Sequence, residues 1–144
     1  MAKSDALEVA DRVHSAAIRL LRAVRVADDE AGLSAPKLSA LSVLIYAGPK
    51  SLTSLARAEQ VTAATMSKLI SDLEAEGLVA KRADQADRRG LRIDVTAKGR
   101  ALFQDARKRR LELLRSRVAK LSASERARLR DAAELMLRVA AAAD

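Results

Sequence analysis

A chain of 144 residues, with 49% apolar and 32% charged side chains, has material for one compact domain with a helix-rich surface. Its net charge of +8 suits a partner made of phosphates, whereas an aromatic content of 1%, Tyr46 and Phe103 alone, argues against single-strand or RNA binding by base stacking. The lack of cysteine excludes disulfides, thiol redox sensing and cysteine-ligated zinc.

No apolar run approaches the roughly 20 residues of a membrane span, so no membrane partner is expected. The opening residues alternate charged and apolar side chains without a signal-peptide core, which gives a cytoplasmic expectation. The first segment, 5–29, places Leu7, Ala10, Val13, Ala17, Leu20 and Val24 at helical spacing and stops near Gly32. Ser34 is positioned to cap a second helix, with Pro36 in its first turn and Leu38, Leu41, Leu44 and Ile45 as its inner face. Gly48 and Pro49 end it. Two short helices follow, one over 54–59 capped by Thr53 and one capped by Thr62 that reaches Glu76 and ends at Gly77.

The period then changes to two. Residues 78–82 and 91–95 read as strands joined by the charged turn 84–90, which makes a β-hairpin with an exposed tip. A long helix starts after Thr96, with Leu102, Ala106, Leu111, Leu114, Val118 and Leu121 on one side. Ser122 and Glu125 have the spacing of a capping box, which opens a last helix bearing Leu129, Ala132, Leu135, Met136 and Val139. These terminal helices have more apolar face than one small lobe can cover, so a two-fold homodimer is expected.

Function concentrates between Leu52 and Arg82. Met66, Leu69, Ile70 and Leu73 form the inner stripe of the second short helix, which turns Ala64, Ser67, Lys68 and Ser71 outward and leaves Thr62, Ala63 and Thr65 at its exposed start. The N-terminal part of such a helix reaches base edges in the major groove of duplex DNA, a task suited to small and hydroxyl side chains followed by a lysine. A hairpin placed directly after it can lie on the DNA backbone. Its tip carries Asp87, Arg88 and Arg89; an arginine there can enter the minor groove, where narrow A·T-rich segments concentrate negative potential, with Asp87 orienting the Arg89 guanidinium. Thr53 and Arg82 complete the candidate DNA-binding set.

The stretch 52–99 resembles the winged helix-turn-helix of MarR regulators. The resemblance rests on Leu73, Glu74, Gly77, Leu78 and Val79, on Asp84 with the Asp87-Arg88-Arg89 turn, and on the alternating strand that runs from Leu91 to Thr96 and Gly99. The flanking helices match that family's dimerisation layer. The resemblance implies a mainly α fold with a small β-hairpin wing, in which a DNA-binding lobe over 33–99 is flanked by N- and C-terminal dimerisation helices over 5–31 and 100–142, all within a single domain of 1–144. It implies a homodimeric transcriptional regulator, a repressor in the expected sign, that binds double-stranded DNA at a pseudo-palindromic operator without a cofactor. It also implies release by a small aromatic or phenolic effector, for which His14 and Tyr46 are candidate contacts. One departure stands out. Ala63 and Ala64 occupy positions where the family often has polar side chains, and alanine can touch a thymine methyl but donates no hydrogen bond. The cluster at 107–110 is read as a solvated face, with DNA contact and cross-dimer ion pairs as the alternatives.

An enzyme is disfavoured. The lone histidine, His14, lies in the first helix near Asp11 without the context of a catalytic nucleophile, and the residues 48–51 lack the leading glycine and spacing of a phosphate loop. The competing readings are a chromosome-binding protein without operator choice and a winged-helix module for protein interaction.

Overall fold

The computed structural model describes residues 2–86 and 90–142. Its elements follow the order α1 (Ala2–Ala31), α2 (Ala35–Ala47), α3 (Leu52–Ala58), α4 (Ala63–Ala75), β1 (Val79–Ala83), β2 (Leu91–Val95), α5 (Ala97–Val118) and α6 (Ala123–Ala141). The chain divides into two compact units, Ala27–Arg109 and the pair Met1–Val26 with Arg110–Asp144. No described helix is long and apolar enough to cross a membrane.

The unit 27–109 contains the continuous apolar core. Leu38, Ala40, Leu41 and Leu44 of α2 pack with Leu55 and Ala56 of α3, with Met66, Ile70 and Leu73 of α4, and with Leu78, Val79, Ile93 and Val95 from the hairpin. The stripe Met66, Ile70, Leu73 recurs every three to four residues, so one face of α4 is buried and the opposite face is left to solvent. From α5, Gly99, Phe103 and Ala106 are buried, whereas Leu102 is only partly so. The expected inner side holds at Ala106 and, in part, at Leu102; the buried row adds Phe103 and Gly99, which closely approaches the chain entering β1.

Helix ends show where local chemistry decided the boundaries. Gly32 and Gly77 take positive φ of 71° and 75°, which ends α1 and turns the chain out of α4, a conformation that costs glycine nothing. Ser34 occupies the N-cap of α2 without a side-chain cap hydrogen bond. The first strand begins at Val79 rather than Leu78: the Leu78 carbonyl still accepts the Thr96 N–H at 3.0 Å across the hairpin, but the Leu78 N–H turns back to the Leu73 carbonyl at 2.9 Å. In the hairpin, Val79 pairs with Val95 and Ala83 with Leu91. The segment before α3 adds a bridge to the same sheet, with the Lys50 N–H donating to Ile93 at 3.1 Å and the Ile93 N–H returning at 2.8 Å.

In the other unit, α6 has no buried residue although it carries Leu129, Leu135, Met136, Leu137 and Val139. Its start is a full capping box. The Glu125 N–H donates to Ser122 Oγ at 3.1 Å, and the Ser122 N–H donates to Glu125 Oε2 at 2.8 Å. The Ser122 backbone N–H, with a smaller contribution from its side chain, holds the Glu125 carboxyl below the usual carboxylate range. A depressed carboxyl stabilises above its unfolded pKa and loses that contribution as pH falls through the lower folded value. Ser122→Ala is expected to cost about 1 kcal/mol in denaturant unfolding at neutral pH, and the wild-type advantage over it should shrink on acidification.

Candidate nucleic-acid interface

The helix-turn-helix is built by α3 and α4. Ser51, in extended conformation, caps α3 by accepting the Ser54 N–H at 3.1 Å. Thr53 is therefore not the cap; it lies within the first turn, exposed. The tight turn from α3 to α4 passes through Gln60 at φ 56°, a left-handed residue, while the Val61 N–H reaches back to the Ala56 carbonyl at 3.0 Å.

Thr62 caps α4. Its Oγ1 accepts the Thr65 N–H at 3.1 Å and makes a hydroxyl–hydroxyl hydrogen bond to Thr65 Oγ1 at 2.9 Å. Thr62, Ala63, Ala64, Thr65, Ser67 and Lys68 are all exposed, as is Ser71 one turn further on. Ala64, Lys68 and Ser71 lie on the side of α4 opposite its buried stripe, Thr65 and Ser67 flank them, and Thr62 and Ala63 are exposed because they stand at the start of the helix. Two shallow depressions flank the helix. One, of about 310 Å³, lies between Pro36, Val61, Thr65, Leu69 and Asp72; the other, of about 130 Å³, lies between Leu52, Ser67, Lys81 and Leu91. Both depressions adjoin α4, and an exposed helix face is what a groove about 12 Å wide admits.

The hairpin follows α4 in the chain, and its first strand packs against that helix. Arg82 on β1 is exposed and lies directly across from Arg92 on β2. At the root of the turn, Asp84 accepts the Ala86 N–H at 3.0 Å, and the Asp84 N–H donates to the Gly90 carbonyl at 2.9 Å. Asp87, Arg88 and Arg89 lie outside the described residues. Arg92, absent from the sequence-derived site, donates from Nε to Asp84 Oδ2 at 3.0 Å and from Nη1 to the Pro49 carbonyl at 3.1 Å. A period-two strand pattern turns Arg92 outward but gives no sign of these partners.

The hairpin's other end is tied to α4 and α5. Thr96 Oγ1 donates to the Gly77 carbonyl at 2.7 Å and accepts the Gly99 N–H at 3.0 Å. Lys98 Nζ donates to the Glu76 carbonyl at 2.9 Å, and the Glu76 carboxylate pairs with Lys37.

The two candidate effector contacts fall in different units. Tyr46, 67% exposed, meets the buried Phe103 ring edge to face with centroids 5.9 Å apart. His14 is exposed on α1. Of the basic cluster, Arg109 pairs with Asp105 at 3.2 Å and with Glu30 at 3.8 Å, while Arg107 and Lys108 are exposed. Among the described residues, no group of histidine, aspartate or glutamate is arranged to hold a metal ion.

Comparison with known proteins meets this geometry. The MarR family profile matches residues 33–91. An uncharacterized HTH-type transcriptional regulator of Mycobacterium bovis is 36% identical over 137 residues, which cover 95% of either chain. Among solved structures, a MarR family protein from Bacillus stearothermophilus superposes with a TM-score of 0.83 at 19% identity, covering 99% of both chains. A mutant of S. aureus MepR bound to an oligodeoxyribonucleotide superposes with a TM-score of 0.67 at 20% identity, covering 91% of this chain and 96% of that one. The exposed helix, its hairpin wing and these likenesses together make this chain a member of the MarR family, a DNA-binding transcriptional regulator of the winged helix-turn-helix type and not an enzyme.

Proposed function

We propose that the chain acts as a homodimer that reads a pseudo-palindromic operator in double-stranded DNA and represses transcription from it. The observation behind this reading is the continuous exposed face of α4. Ala64, Thr65, Ser67 and Lys68 line it, with Thr62 and Ala63 at its exposed start, where Thr62 caps the Thr65 N–H. In the proposed complex that face enters the major groove, with Thr65, Ser67 and Lys68 as hydrogen-bond donors and Ala63 and Ala64 against thymine methyls. Thr53 and Arg82 touch phosphates. The wing tip, with Asp87, Arg88 and Arg89, follows into the adjacent minor groove.

The DNA-bound relative MepR supports the partner, and the apolar, unburied α6 supports the second copy. Two copies of α4 then meet half-sites about 34 Å apart, one helical turn. An effector that favours a different spacing of the two helices releases the DNA by population shift. Small aromatic or phenolic compounds are the proposed class, on family grounds; His14 and Tyr46 are its candidate contacts. Action on chromosomal DNA goes with a proposed location in the bacterial cytoplasm.

Arg89→Ala tests the wing assignment. Loss of one minor-groove arginine is expected to cost about 1–3 kcal/mol per half-site, read as weaker binding to a selected duplex in fluorescence anisotropy. Unchanged affinity would remove the wing tip from the interface.

A further inference from the structure

Arg82 and Arg92 face each other across the hairpin, and like charges in that position repel. Arg92 is drawn aside. Its Nε donates to Asp84 Oδ2 at 3.0 Å and its Nη1 to the Pro49 carbonyl at 3.1 Å. Asp84 sits where β1 gives way to the wing turn and is itself tied to Ala86 through Oδ1. Pro49 precedes Lys50, whose backbone pairs with Ile93, and Ser51, which caps α3. One guanidinium thus spans the root of the wing turn and the segment that launches the helix-turn-helix.

We propose that Arg92 is a positioning residue for DNA recognition: by bridging Asp84 to the Pro49 carbonyl it fixes the wing relative to α3 and α4. The proposal rests on the reading that the wing touches DNA. The bridge is half open to solvent, with side chains 48% and 17% exposed for Arg92 and Asp84, and an exposed ion pair contributes little to stability. Its effect lies in orientation. A preorganised wing meets the minor groove without first being ordered, and a loose one gives up affinity. The guanidinium fork matters because two acceptors in different directions must be held at once.

The test uses the full chain and a selected operator duplex, with Arg92→Ala, Asp84→Asn, their double variant, Arg92→Lys and Arg89→Ala compared with wild type. Removing a carboxylate near DNA should strengthen binding on charge alone. The proposal expects the opposite: Arg92→Ala and Asp84→Asn each weaken binding about tenfold, a coupling of common size, and the double variant is no weaker than either. Arg92→Lys stays weak, thermal melts shift little, and hydroxyl-radical protection is lost in the flanking minor groove while the central major-groove contacts persist.

If Asp84→Asn binds as wild type or more tightly, or if Arg92→Lys restores full affinity, Arg92 acts as a simple phosphate contact and the proposal is overturned. Additive losses in the double variant overturn it as well. If Arg89→Ala weakens binding but Arg92→Ala does not, the bridge alone fails; if Arg89→Ala is silent, the wing reading and the bridge fall together.

Discussion

Gly99→Ala is expected to destabilise the unit 27–109 by about 3 kcal/mol or more, the largest single effect among the substitutions considered. A Cβ on Gly99 would stand 2.1 Å from the Leu78 carbonyl oxygen, 2.9 Å from its carbon and 3.0 Å from Val95 Cγ2. The first two are backbone, so no rotamer change relieves them. Relief requires the start of α5 to move away from the entry to β1, and that movement pulls on the Thr96 N–H bond to Leu78 and the Thr96 hydroxyl bond to Gly77. Alanine favours helix over glycine by about 1 kcal/mol, which offsets only part of the clash. Because these contacts set the root of the wing, DNA affinity should fall together with stability. Chemical denaturation checks it; a change of less than about 0.5 kcal/mol, the range of an ordinary surface substitution, would show that α5 is not held this closely.

The second large effect concerns assembly. Leu135→Asp combined with Val139→Asp is expected to leave a monomer whose lobe still folds and whose operator affinity falls by a factor on the order of 10²–10⁴, the scale of lost bivalency. Both side chains are exposed on α6, at 52% and 74%; the continuous core cluster lies within 33–106, and the other buried apolar residues described, Val24 and Ala27, belong to α1. The substitutions therefore spare that core while placing charge on a face for which a second copy is the proposed cover. Sedimentation at several concentrations, with circular dichroism as the fold control, reads the outcome. A variant that remains dimeric would move the dimer contact off this helix.

Much of the architecture was legible because it is written locally. Thr62 three residues before Thr65, Ser122 three before Glu125, and glycines at 32 and 77 mark helix ends through short-range hydrogen bonds and backbone freedom. The alternation over 91–95 and the stripe Met66, Ile70, Leu73 report burial by period alone. Misplaced features depend on distant partners. Ser51 and Thr53 are both plausible caps in isolation; Ser51 takes the position because the Lys50–Ile93 bridge holds the chain extended just ahead of it. The addition of Phe103 and Gly99 to the buried row of α5 goes with the approach of Gly99 to Leu78, a contact across 21 residues that no periodicity encodes. Arg92 looked like any outward strand residue because its acceptors are a turn carboxylate and a carbonyl 43 residues away. For the proposed interface, the exposed face of α4 followed from the stripe beneath it, whereas the bases it meets depend on a partner that the chain does not spell out.

The central claim is operator recognition by a dimer. It is tested most directly by selecting bound fragments from a genomic DNA pool and titrating the best duplex by fluorescence anisotropy at several salt concentrations. The account predicts one dimer on a near-palindromic site, bound about 10³-fold or more tightly than a scrambled duplex, with log affinity falling linearly with log salt. Binding equally tight to both duplexes would contradict operator recognition and favour a general chromosome-binding role; no binding to either at low salt would contradict the proposed interface itself.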